Sequence, residues 1–173
     1  LTLATSHVLL VETAGETLAL PTTNVERILF VDPADIKSVE GDAAIYAEGR
    51  PLALINLAQV LGLPQVEEPH RPGKKIPVVI LSVVEKKIAL AVDGFKGDQE
   101  VVIKNLGRQL SRVRNIAGAT ILGDGQVVII LHAADLIKSM QARPANVSSR
   151  LVETHQPRRR RILVVDDSIT TRT

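Results

Sequence analysis

The sequence predicts an all-β protein built as two small barrels packed together, with two short helices. Three observations carry that expectation. Short aliphatic runs of strand length recur along the chain between turn-forming pairs, nine or ten in all. The hydrophobic fraction is 45% with only 2% aromatics, so the core is made of branched aliphatic side chains suited to strands. And the chain partly repeats itself: displaced by 70 residues, Val8-Leu9-Leu10-Val11 lands on Val78-Val79-Ile80-Leu81, and Leu18-Ala19-Leu20 lands on Ile88-Ala89-Leu90, without a gap.

Taken in order, His7–Glu12 and Glu16–Leu20 are strands joined at Ala14-Gly15, a hairpin turn signal. Val25–Val31 is a strand ended by Asp32-Pro33. Ala43–Ala47 and Pro51–Ile55 flank Glu48-Gly49-Arg50 as a second hairpin. Asn56–Leu63 reads as a helix, since Asn56 can cap, Leu57, Val60 and Leu61 share a face, and Gly62 with Pro64 stops it. After a polar loop, Gln65–Lys75, strands return at Val78–Val84, Lys87–Val92 and Val101–Lys104. Ala119–Leu122 and Val127–Leu131 flank Gly123-Asp124-Gly125, a third turn signal. Ala133–Gln141 is an amphipathic helix with Leu136, Ile137 and Met140 on its buried side. Residues 142–160, with Arg143-Pro144, Ser148-Ser149 and Gln156-Pro157, have the composition of a linker. Residues 161–173 resume an apolar strand, Ile162–Val165, followed by Asp166 and Asp167.

Composition removes several function classes. The net charge of +2 comes from 21 basic and 19 acidic residues, but without Arg158–Arg161 the balance is 17 to 19. The basicity is therefore a local tract, better read as a solvated linker than as a nucleic-acid docking face. Scarce aromatics leave no stacking platform for single strands. The absence of cysteine excludes disulfides and thiolate zinc sites and fits a cytoplasmic protein. No apolar run reaches the length of a membrane helix. His7, His70, His132 and His155 lack metal-ligand spacing. His132, at a strand end, is expected to be an ordinary half-buried histidine. Gly118, Gly123 and Gly125 punctuate a hairpin and open no phosphate-binding helix. No nucleophile with its base can be argued, so no catalytic residue is assigned.

Two long runs stand out: Gly97 to Gly107 (GDQEVVIKNLG) and Ala117 to Gly125 (AGATILGDG). Through Gly97, Glu100, Val101, Val102, Ile103, Lys104, Leu106 and Gly107, then Gly118, Ala119, Thr120, Gly123, Asp124 and Gly125, the chain resembles the CheW-like regulatory domain of CheA-type chemotaxis histidine kinases. The resemblance spans about residues 1–138. It implies two SH3-like barrels in a CheW-like domain over residues 1–141, with no cofactor. The implied function is cytoplasmic docking, and the expected partners are a CheW-type adaptor, a chemoreceptor tip and the kinase domain of the same chain. Nucleic acid and membrane insertion are not expected. Leu1-Thr2-Leu3-Ala4 is similar to the exit from the kinase's ATP-binding domain. Ile162–Ser168 resembles the first strand and acidic pair of a receiver domain, as in a hybrid kinase. Asp166 and Asp167 would then be part of a Mg²⁺ site that only an intact receiver completes. Ile162–Val165, cut from its sheet, is expected to lie against a sheet edge or apolar groove.

The chain departs from the family pattern in two places. Glu48-Gly49 and Leu52-Ala53 stand where the family often carries Arg-Gly and Leu-Pro, an arginine associated with partner binding. His132 stands where Asp is frequent. For the docking contact, Ile28, Leu29 and Phe30 are the candidates, because three consecutive apolar side chains on a strand cannot all face one core. They either reach a partner or bridge the cores of the two barrels. The rival classes are a phosphoryl-transfer fragment, testable by phosphorylation, and a basic-tract nucleic-acid binder, testable by steep salt dependence.

Overall fold

The computed structural model describes residues 5–39, 41–64, 73–103 and 113–142. Ile162–Val165, Asp166 and Asp167 lie outside the described residues, as do Lys104, Leu106, Gly107, His70 and His155.

Eleven strands among the described residues form two sheets. β1 (Thr5–Thr13) and β2 (Glu16–Pro21) make the first hairpin, and its turn places Ala14 and Gly15 at φ 52° and 79°. Two successive left-handed residues are what a tight right-twisted hairpin requires, which is why a glycine follows the alanine there. β7 (Ile76–Val83) and β8 (Lys86–Ala91) make the equivalent hairpin. The offset seen in the sequence is reproduced in register: Leu9 faces Leu20 as Val79 faces Leu90, and Glu12 faces Thr17 as Ser82 faces Lys87.

The equivalence extends to each hairpin's neighbours. β3 (Val25–Val31) pairs with β7, and β9 (Gly94–Val102) pairs with β1, so each third strand joins the other hairpin. Connector length rules out one alternative. To lie on the far side of β1, β3 would have to run parallel to β2, and a parallel crossover takes a dozen or more residues. Only Thr22–Asn24 separate β2 from β3, and only Val92 and Asp93 separate β8 from β9. The chain therefore continues into the neighbouring sheet. Both exchanged strands carry a bulge at the same place, between Val25 and Arg27 and opposite the Leu10/Val11 step at Lys96.

Each sheet is completed by its own hairpin. β10 (Ile116–Ile121) and β11 (Val127–Leu131) extend the first sheet, with β11 parallel to β2. β5 (Asp42–Ala47), β6 (Arg50–Asn56) and the short β4 (Lys37–Val39) extend the second, with β6 parallel to β8. The orders are β10-β11-β2-β1-β9 and β3-β7-β8-β6-β5-β4. These are the two SH3-like barrels that the sequence led us to expect.

Three aliphatic clusters follow. Val8, Leu10, Ala19, Val101, Val128 and Ile130 fill barrel one. Ile36, Ala43, Ile45, Leu54, Val78, Ala89 and Ala91 fill barrel two. The alternate residues of both hairpins, among them Leu9, Val11, Leu20, Val79, Leu81 and Leu90, join Leu57, Leu136, Ile137 and Met140 in a third cluster between the barrels. The hairpin strands are thus covered on both faces, and this explains why they read as continuous apolar runs although they are antiparallel.

Two helices close the shared cluster. α1 (Leu57–Leu61) is capped by Asn56, whose Oδ1 accepts from Ala58 N at 2.8 Å, and ends at Gly62 in the left-handed conformation. α2 (Ala133–Gln141) is capped by His132, whose Nδ1 accepts from Asp135 N at 3.3 Å. His132 is half-exposed and works as a helix cap, a role natural to the aspartate frequent there.

Candidate docking face

β3 is an edge strand: among the described residues it hydrogen-bonds only to β7. Its side chains alternate. Leu29 and Val31 turn inward against the barrel-two cluster, whereas Ile28 and Phe30 face outward with 41% and 61% of their surface exposed. Of the three residues singled out by sequence, the structure brings Ile28 and Phe30 to the surface and packs a partly buried Leu29 against the core of barrel two. Leu29 does not bridge the two cores.

Phe30 is not alone. The ring of Phe95, on the exchanged strand β9, meets it edge-to-face with centroids 5.8 Å apart at 90°. Phe95 also packs against the inter-barrel cluster. The two phenylalanines of the chain thus meet where the exchanged strands approach each other, an aromatic contact anchored on one side and open on the other. Sequence reasoning missed Phe95. It lies at the start of a strand whose polar stretch, Lys96–Glu100, hides the pattern.

Charges border this face. Arg27 Nη2 donates to Glu48 Oε1 at 3.0 Å, Glu48 Oε2 lies 4.0 Å from Lys87 Nζ, and Lys87 Nζ donates to Glu26 Oε1 at 2.6 Å. Glu48 sits at φ 53° in the β5–β6 turn, with its carboxylate taken up by this chain's own Arg27 and Lys87. On the equivalent bulge of β9, Lys96 donates to Thr17 Oγ1 at 2.9 Å and pairs with Glu12 at 3.1 Å.

The resemblance motif proves to be framework where it is described. Gly97 stands at the β9 bulge, Glu100 is exposed opposite His7, and Val101 is buried in barrel one with Ile103 packed beside it. Val102 presents its carbonyl to Thr120 Oγ1 at 2.9 Å, which ties β10 to β9 and closes barrel one. Gly118 is buried, and Ala119 pairs with Ile129. In the turn, Gly123 is exposed, Asp124 Oδ1 accepts from Gln126 N at 2.9 Å, and Gly125 has φ 86°. A second exposed apolar strip, Ile121, Val127 and Ile129, covers the outer face of β10–β11 and escaped sequence reasoning, because Val127–Leu131 is apolar throughout. Among the described residues no three acidic or histidine side chains group to hold a metal, and no helix is long and apolar enough to cross a membrane.

Comparison with known proteins agrees with this architecture. Residues 7–141 match the family model of the CheW-like domain. The chain is 33% identical over 137 residues to the chemotaxis protein CheA of Bacillus subtilis, covering 79% of this chain and 20% of that one. It is 33% identical over 169 residues to the gliding motility regulatory protein of Myxococcus xanthus, covering 96% and 20%. It is 29% identical over 178 residues to the sensor histidine kinase CheAY of Helicobacter pylori, covering 99% and 22%. The chain thus spans about one fifth of the length of these relatives. The crystal structure of the scaffolding protein TtCheW from Thermoanaerobacter tengcongensis shares the fold, with a TM-score of 0.59 at 17% identity over 75% of this chain and 85% of that one.

Proposed function

The chain belongs to the CheW-like domain family, and from that premise we propose that it is the regulatory docking domain of a chemotaxis-type histidine kinase. It binds a CheW-type adaptor and a chemoreceptor tip, and passes receptor state to the kinase domain of the same chain. The observation that carries this reading is the outward pair Ile28 and Phe30 on an edge strand, joined by Phe95. An edge strand with large apolar side chains is a surface that protein partners cover. Binding, and not catalysis, is what such a face can perform.

The wider layout belongs to the same proposal: a docking domain over residues 1–141, a linker over 142–160, and the beginning of a receiver over 161–173. Asp166 and Asp167 would contribute to a Mg²⁺ site only within an intact receiver, and the docking domain itself needs no cofactor. A pull-down against a CheW-type adaptor and a DNA duplex, each at two salt concentrations, tests the function. Capture of the adaptor alone, surviving the higher salt, supports docking. Capture of DNA that collapses with salt would replace it by the basic tract.

A further inference from the structure

The charge chain Glu26–Lys87–Glu48–Arg27 runs across one mouth of barrel two, from the edge strand β3, over β8, to the tip of the β5–β6 hairpin. These residues lie up to 61 positions apart in sequence. In a regular strand Glu26 and Arg27 would point to opposite faces. The bulge between Val25 and Arg27 re-aims them, so both enter one network. No strand beyond β7 holds β3 among the described residues, and the ion pairs link it to the β5–β6 tip.

We propose that Glu48 is a positioning residue: through Arg27 and Lys87 it latches the hairpin tip onto β3 and so fixes the strand that presents Ile28 and Phe30. The network neutralises itself, two carboxylates against two cations, so these four side chains add no net charge beside the apolar face when a partner covers it. The pairs are half-exposed, so ionic strength loosens the latch. In its consequence for binding the inference rests on the docking function proposed above, but the latch itself does not need a partner to be observed.

The test is hydrogen exchange of the full chain read by mass spectrometry on the segment containing Arg27–Val31. Glu48→Arg should speed exchange there about threefold at low salt, as loss of exposed ion pairs implies, and leave the β1–β2 hairpin unchanged. Arg27→Glu combined with Glu48→Arg should recover much of the protection, which a merely structural defect would not do. Raising the salt to about 1 M should move the wild-type protein toward the single variant. Unchanged exchange in Glu48→Arg, no recovery in the double variant, or salt-insensitive exchange of the wild type would each overturn the latch. Adaptor binding that ignores Ile28→Ser and Phe30→Ser would instead overturn this face as the docking site and leave the latch standing.

Discussion

Truncating Leu20 to alanine should destabilise both barrels, although Leu20 belongs to a strand of barrel one. Its side chain is fully buried in the inter-barrel cluster, facing Leu9 across the hairpin and sharing the cluster with Val79, Leu81 and Leu90 of barrel two. Removing a buried leucine side chain costs the transfer energy of the lost groups plus the cavity left behind, about 3–5 kcal/mol. Against a total of roughly 5–15 kcal/mol, that is a large part of the molecule's stability. With an m-value of about 2 kcal/mol per molar urea, the midpoint should fall by about 1.5–2.5 M. Two probes separate the barrels. Far-UV circular dichroism reports on all strands, whereas Tyr46, the single tyrosine of a tryptophan-free chain, reports on β5 of barrel two. Both transitions should coincide and shift together, and Leu90→Ala, its equivalent on β8, should give a shift of the same size. If Leu20→Ala lowers the circular dichroism midpoint while the Tyr46 transition stays put, the barrels fold independently and the shared cluster is not what joins them.

Three further outcomes follow. Leu29→Glu should destabilise barrel two by about 1–3 kcal/mol, because it sets a carboxylate against an aliphatic cluster, while Ile28→Ser and Phe30→Ser should change stability by only about 0.5–1 kcal/mol in urea titrations. Asn56→Ala should cost about 1 kcal/mol and His132→Ala about half as much, since the first cap accepts at 2.8 Å and the second at 3.3 Å; thermal unfolding midpoints check the order. Incubation with Mg²⁺ and a small phosphodonor should leave the intact mass unchanged, and a stable gain of one phosphoryl group would contradict the proposal that this chain docks partners and accepts no phosphate.

Much of the fold was legible because it is local. Hairpins announce themselves through turn pairs such as Ala14-Gly15, and the repeat from Val8 to Val78 survives because both strands are buried on two faces and so restricted to aliphatic residues. The strand β9 was read only from Val101 onward. Its first part, with Lys96, Asp98 and Glu100 exposed, carries no apolar alternation, and the bulge interrupts the period. β4, three residues with an outward lysine, is too short to leave a pattern. The exchange of β3 and β9 follows from connector lengths taken together with pairings 45–56 residues apart for β3 and 82–97 for β9, and such pairings are not visible in a linear reading. At the candidate face, the run Ile28-Leu29-Phe30 showed that apolar side chains must point both ways, but not which of them faces out. That depends on the bulge at Glu26, which sets the phase of the strand. The Phe30–Phe95 contact and the Glu48 network were invisible because their partners are distant in sequence.

The docking function is tested most directly by titrating a CheW-type adaptor into the wild-type protein and into the Ile28→Ser/Phe30→Ser double variant, with binding read by calorimetry and folding by urea titration of the same samples. Saturable binding by the wild-type protein should be lost in a variant that remains folded. An equally tight complex with the variant would show that this face is not where the adaptor sits.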